Sequence, residues 1–295
     1  MRTPDLGIEV TEPSDGEQEW GREQIGHALQ CLRERLEDER RRQFAPFDVP
    51  ADCYWPAARV YHEHSSMGPA WTGRLTNDEV SVLTLDRNYK RYPNAHRMAL
   101  PASKPLAADL EGTIRSRESR RAFAPEAISL AAVTQLLELG CGITQQRDVP
   151  RRAAPSPGGL YPVETYPVAF SVEGIGPGVY HYAVLDHALE TVRSLSTFEV
   201  TREFLPPDLF AARPALVIAL SVIFPRVQVK YLERGYRFAL LEAGHIAQNI
   251  LLAATALGLN AVPVGGFWDE PFNELLGFDT STEAVLYCIL LGNPA

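Results

Sequence analysis

Three absences narrow what this 295-residue chain can be. It has no run of 18 or more apolar residues, the length an α-helix needs to cross a bilayer, so no helical membrane span is expected. Its four cysteines, Cys31, Cys53, Cys141 and Cys288, contain no CxxC pair. That spacing excludes a disulfide framework and a structural zinc site, and it leads us to expect a reducing, cytoplasmic setting and no metal. The chain also lacks a basic excess. With a net charge of −9 it has no surface suited to nucleic acid as a main partner, although a local basic pocket for one phosphate remains open. The opening MRTPDLGIEVTEPSDGEQEW is acidic, without the apolar core of a signal peptide, so no targeting segment is expected.

What is present divides into three parts. Residues 1–45 read as an acidic tail followed by an amphipathic helix over 21–43, in which Ile25, Leu29, Leu32 and Leu36 recur at helical spacing. Residues 46–105 form an accessory segment rich in proline and aromatics. Its His62 and His64 lack further ligands at metal spacing and read as structural. Residues 106–295 form the main domain. Short helix signals occur at 108–117, and a strong amphipathic helix at 128–144 has Ser129 as N-cap. Strands are predicted at 166–172, 178–184, 188–194, 215–224, 260–267 and 284–292, with a long alanine-rich helix at 233–258. Small residues at that density suit a central or an interface helix. Gly174, Gly176 and Gly178 imitate part of a dinucleotide fingerprint, but no helix follows them, so a hairpin turn is expected. The class is α+β, a sheet flanked by helices.

Four constellations could carry chemistry. Arg115, Arg117, Arg120 and Arg121 stand within seven residues around Ser119, either a solvated charge run or a set of guanidinium forks and a hydroxyl for a phosphate. The Pro155-Ser156-Pro157-Gly158-Gly159 turn leads into a strand and is either an ordinary turn or a close backbone approach to a flat ligand. Lys230 and Tyr231 are adjacent and each could act as a base if desolvated, or they are a surface dipeptide. Val264-Gly265-Gly266 is a glycine turn whose N–H groups could reach a ligand edge.

Together and in this order, RESRRAF (117–123), APSPGGLYPVE (154–164), KYLERGYR (230–237), LLEAGHIAQNILLAATALGL (240–259) and PVGGF (263–267) resemble the SagB-type branch of the nitroreductase-like flavoenzymes. Those enzymes are azoline dehydrogenases of thiazole- and oxazole-containing peptides. The resemblance implies a nitroreductase-like α+β fold with a mixed central sheet and FMN at a homodimer interface. It implies that Arg117 and Ser119 hold the FMN phosphate and that Arg121 sits near flavin N1 and the C2 carbonyl. Pro155, Ser156 and Gly158 would line the isoalloxazine from the second subunit, and Val264, Gly265 and Gly266 would bring backbone N–H groups to N5. Lys230 and Tyr231 match the Lys-Tyr pair linked to azoline oxidation, with Arg234 and Arg237 near enough to favour a neutral lysine. A basic C-terminal tail found in many nitroreductases has no counterpart, so Arg115, Arg117 and Arg152 are expected to carry the phosphate. A peptide substrate and a cyclodehydratase partner are implied. Two rivals stand beside this: an NAD(P)H-dependent nitro or quinone reductase on the same fold, and a non-catalytic member that docks a peptide.

Overall fold

The computed structural model describes residues 56–66, 89–147, 150–195 and 204–295. The acidic tail and the helix expected at 21–43 lie outside the described residues. The chain falls into two compact units, Met1–Val60 and Tyr61–Ala295. Apart from the first half of helix α1 (Pro56–His64), every described element belongs to the second.

The strands of the main sheet are β1 (Arg97–Ala99), β4 (Val163–Ala169), β5 (Gly178–Ala183), β6 (Ala188–Ser194), β7 (Leu216–Ile223), β8 (Asn260–Val264) and β9 (Glu283–Gly292). Their order is β1-β6-β5-β4-β7-β9-β8. A separate short ribbon pairs β2 (Ile143–Gln145) with β3 (Arg151–Arg152). The sheet was expected to be mixed. Its ladders are antiparallel throughout, and the one parallel pairing among the described residues is the isolated bridge between Ile128 and Val172. The hairpins β4–β5 and β5–β6 set that direction, and Gly174 at φ 81° turns the first, as the absence of a following helix required.

β7 shows why a continuous apolar run marks a central strand. Leu216, Ile218, Leu220 and Val222 enter the core on one face; Val217 and Ala219 enter a second core on the other. On the first face lie α3 (Leu130–Cys141) and α6 (Arg234–Ala256); on the second lies α7 (Asp269–Leu276). Ser129 caps α3 by accepting the Ala132 N–H at 3.2 Å. A Cβ on Gly140 would stand 2.6 Å from Cγ1 of Ile250, so α3 and α6 meet nearly backbone to side chain. The small residues Ala239, Ala243, Ala247, Ala253 and Ala254 of α6 are all buried within the chain, which settles the choice in favour of a central helix for that face. Cys141 and Cys288 are free and buried.

Two differences from the sequence expectation bear on function. The accessory segment supplies an edge strand, β1, too short for any period to reveal. Lys230 and Tyr231 do not begin the long helix. They end a separate helix, α5 (Phe224–Tyr231), which starts directly after β7 with Pro225 in its first turn. Leu232, at φ 49° and ψ −135°, breaks the chain before α6.

A rib of linked polar side chains crosses the sheet from β1 to α5. Arg97 of β1 bonds Glu190 of β6 at 2.6 Å, and Glu190 bonds Nδ1 of His181 of β5 at 2.9 Å. His181 Nε2 meets Glu164 of β4 at 3.1 Å, and Glu164 meets Arg226 of α5 at 2.6 Å. Burial alone would raise the Glu164 carboxyl, but Arg226 and His181 outweigh it and hold it well below the ordinary range. Glu190 is likewise depressed against burial, by His181, Arg97 and the Tyr92 N–H. His181 thus bridges two carboxylates through its two ring nitrogens.

Glu164→Gln should therefore cost about 3–5 kcal/mol at pH 7, because it strands the buried Arg226 guanidinium. Denaturant unfolding measures it. A carboxyl with a depressed folded pKa stabilises above its unfolded value, near 4.5, and loses that contribution as pH falls below it. The gap between wild type and variant should thus narrow below pH 4.5; a constant gap contradicts the assignment.

Candidate functional site

The first half of the site lies along the β8 edge. Helix α2 (Leu110–Ser116) is opened by Asp109, which accepts the Gly112 N–H at 3.0 Å, and ends in Arg117, whose backbone turns extended at φ −62° and ψ 123°. The following residues are laid against the sheet end. Arg120 N–H donates to the Ala261 carbonyl at 3.0 Å, the Asn260 side-chain amide donates to the Ala122 carbonyl at 2.7 Å, and Ala124 N–H donates to Asn293. Of the arginines, Arg115 is paired with Glu111 and Arg120 with Glu118. Among the described residues, no ion pair engages Arg117 or Arg121; Arg117 is half-buried, while Arg121 and Ser119 are exposed. At the other end of β8, Val264 is buried and Gly265 and Gly266 emerge exposed, with open space where a Cβ on either would sit.

The second half gathers around the Pro155–Gly159 turn. Gly158 adopts φ 62° and ψ 10°, the left-handed region that favours glycine. A Cβ there would lie 2.9 Å from Tyr231 Oη and 3.2 Å from Lys230 Nζ. Two segments more than 70 residues apart in sequence thus meet at one backbone position. The turn is pinned from several sides. Tyr161 N–H donates to Ser156 Oγ at 2.8 Å, and Arg226 donates to the Tyr161 carbonyl at 2.7 Å. Arg152 N–H donates to Tyr161 Oη at 3.2 Å. Below, Glu242 of α6 is buried and hydrogen-bonded by Ser156 and by the Val163 N–H.

The Arg117–Arg121 segment and the Pro155–Gly159 turn are at opposite ends of the sheet, and Gly265 and Gly266 leave β8 toward the end that carries the turn. Val163 pairs with Val222 and Val222 with Ala284, whereas Ala261 pairs with Leu291. Along β9 that is about 23 Å at ~3.3 Å per residue, with three strand spacings between β4 and β8. The Arg117–Arg121 segment and the Pro155–Gly158 turn are therefore on the order of 25 Å apart within one chain.

Other expected contributors lie elsewhere. Arg152 does not join Arg117. It is buried at the turn end, its guanidinium over the Tyr161 ring at 4.5 Å and the Tyr89 ring at 5.3 Å. Arg115 is spent on Glu111. Arg234 and Arg237 turn to the accessory segment, Arg234 donating to the Ser65 carbonyl and Arg237 to Ser65 Oγ and to the His62 carbonyl. His62 accordingly has Arg237 as a neighbour, and among the described residues no group of three or more His, Cys, Asp or Glu side chains is placed to hold a metal ion. His245 and Gln248 of α6 are exposed. Glu242, Glu164 and His181 were missed as parts of the site. The available signal was an ionisable residue inside a strand or helix that is otherwise mostly apolar.

The donor set fits a flavin mononucleotide. Two guanidiniums and a hydroxyl at a chain bend suit a dianionic phosphate, and an open glycine pair at a strand end admits a flat ring edge.

Comparison with known proteins gives the family. The Nitroreductase family profile matches residues 114–293. The chain is 34% identical to the nitroreductase-type protein MJ1384 of Methanocaldococcus jannaschii over 57% of its length and 83% of that protein's. It is 33% identical to the microcin B17-processing protein McbC of Escherichia coli over 48% of its length, and 30% identical to the trifolitoxin-processing protein TfxB of Rhizobium leguminosarum over 74%. The chain spans 54% of McbC and 65% of TfxB. Among solved structures, a nitroreductase-type protein of Anabaena variabilis superposes with a TM-score of 0.62 at 25% identity, covering 80% of this chain and 47% of that one. The fold is also shared with a chain of the E. coli microcin synthetase McbBCD complex holding truncated pro-MccB17, with a TM-score of 0.56 at 24% identity, covering 81% and 92%. The sequence resemblance to the SagB-type branch thus has peptide-processing relatives beside it, and the chain belongs to the nitroreductase family.

Proposed function

We propose that this protein is an FMN-dependent dehydrogenase that oxidises azoline rings of a modified peptide to azoles. The observation that carries the reading is the meeting of Lys230 Nζ and Tyr231 Oη at Gly158. A lone reductase site needs no such pair. An azoline becomes aromatic by losing a proton from one ring carbon and a hydride from its neighbour, so a base must stand beside the hydride acceptor. FMN, when bound, supplies that acceptor and is reoxidised by oxygen.

The chain's own residues supply the rest. Lys230 Nζ or Tyr231 Oη takes the proton. Arg117 and Ser119 hold the phosphate, and Arg121 favours negative charge on the reduced ring system. Val264, Gly265 and Gly266 offer backbone N–H groups, and Pro155, Ser156 and Gly158 line the ring face. The separation of the two halves supports a homodimer. A ribityl chain of five carbons spans roughly 7 Å at ~1.5 Å per bond, so the phosphate group and the turn that flank one cofactor come from different copies. The likeness to McbC and to a chain of the McbBCD complex supports a peptide substrate and a cyclodehydratase partner.

The purified protein should show flavin absorbance. Arg117→Ala should weaken FMN binding roughly 10- to 100-fold, the loss expected for one charge-assisted hydrogen-bond donor, read by fluorescence titration. Incubated with an azoline peptide, the wild type should remove two hydrogens per ring, seen by mass spectrometry. Lys230→Ala and Tyr231→Phe should abolish that loss with FMN still bound; wild-type turnover in both rules out the pair as the base. Steady NADPH oxidation with a quinone and no action on azolines would favour the reductase instead. Gly158→Ala should lower turnover on the order of 10²-fold by displacing the pair, since small misplacements of reacting groups cost that much.

A further inference from the structure

We propose that Glu242 is a positioning residue for the Lys230–Tyr231 pair, holding through Ser156 the turn whose Gly158 faces Nζ and Oη, with a hold that changes with the proton on its carboxyl; the significance of that pair rests on the function proposed above.

The geometry is a short chain of bonds. Glu242 is buried under the turn, and its Oε1 receives the Val163 N–H at 3.4 Å. Ser156 hydrogen-bonds the same carboxyl. Because Ser156 Oγ already accepts the Tyr161 N–H at 2.8 Å, its own proton is free to be donated to Glu242. Two residues on from Ser156 stands Gly158, with Tyr231 Oη and Lys230 Nζ against it. The other oxygen, Oε2, is buried without a hydrogen-bond partner. A buried carboxylate with an orphan oxygen is costly, and a neutral carboxyl there is less so.

The surroundings make this carboxyl the group that titrates. Facing it are the Arg152 and Arg226 guanidiniums and the Cys141 thiol. The guanidiniums keep their charge at any working pH. Burial pushes the thiol up to about 11, and Glu164, beyond Arg226, is held well below the ordinary range. Burial pushes Glu242 up to about 7, against the opposing pull of Ser156, Arg152, the Val163 N–H and Arg226. The ionised carboxylate accepts the Ser156 and Val163 donors as charge-assisted bonds, which are about twice as strong as neutral ones. The protonated form keeps them as ordinary bonds and carries an O–H with no acceptor. Burial outweighs these donors, however: a carboxyl released to solvent by an open turn titrates in the ordinary range, so the closed turn holds the proton more tightly than the open one, and raising pH through neutrality loosens the turn.

Hydrogen exchange of the flavin-loaded protein, corrected for the intrinsic rate, reads the turn directly. Protection of the 155–163 segment should fall roughly tenfold between pH 6 and pH 8 in the wild type. Glu242→Gln keeps the shape and cannot ionise, so its protection should be flat over that range; Ser156→Ala, which removes the link from the other side, should lower protection already at pH 6. In parallel, two-hydrogen loss from an azoline peptide should carry a limb that falls with rising pH through 7 in the wild type and is lost in Glu242→Gln, with flavin absorbance unchanged. If the exchange fall persists in Glu242→Gln, the inference is overturned whatever the activity does. If the wild type oxidises no ring at any pH, the functional reading fails, and the exchange result still decides whether Glu242 governs the turn.

Discussion

The bond between Arg226 and Glu164 is the constraint on which the rest of the molecule hangs. It ties helix α5 to the centre of the sheet, and it is one link of a rib that runs Arg97, Glu190, His181, Glu164, Arg226. The rib follows the strand order β1-β6-β5-β4 and then steps up into the helix that carries Lys230 and Tyr231. Buried charge of this kind adds little net stability over an apolar substitute, but it penalises every arrangement in which the partners are out of register. Arg226 also donates to the Tyr161 carbonyl, so one guanidinium fixes the helix and the glycine turn relative to each other. That shared anchor lets two distant segments meet at Gly158 with atomic spacing.

Much of the architecture was legible because it is local. Ser129 caps α3, the apolar run of β7 is buried on both faces, and the turn at Gly174 reverses a hairpin; each is decided by a few neighbouring residues. The flavin-type motifs were legible as short strings in a fixed order. What escaped was set by partners far along the chain. Glu164 and Glu242 lie inside recognised strings, yet their roles depend on residues 62 and 79 positions away. β1 has three residues and no period to read. The end of α5 at Tyr231 was hidden because Leu232 is an ordinary helix former held at positive φ by its surroundings.

The placement of the site fragments follows from sheet order. β4 and β8 are separated by β7 and β9; the glycine turn precedes β4 at one end, and the Arg117–Arg121 segment lies against β8 at the other. In the proposed homodimer a second copy brings the missing half. On this arrangement a point change at Arg117 in one subunit weakens a site whose proton-accepting pair belongs to its neighbour, so complementation between differently mutated subunits has a structural basis.

The buried thiols acquire a meaning from the proposed chemistry. A dehydrogenase whose reduced cofactor passes electrons to oxygen makes peroxide next to its own side chains, and peroxide attacks thiolates rather than thiols. Cys141, bonded to Thr165 behind the glycine turn, and Cys288, in the middle of β9, are both pushed up by burial and stay protonated. The core around the site thus contains sulfur in the form that tolerates the enzyme's own by-product.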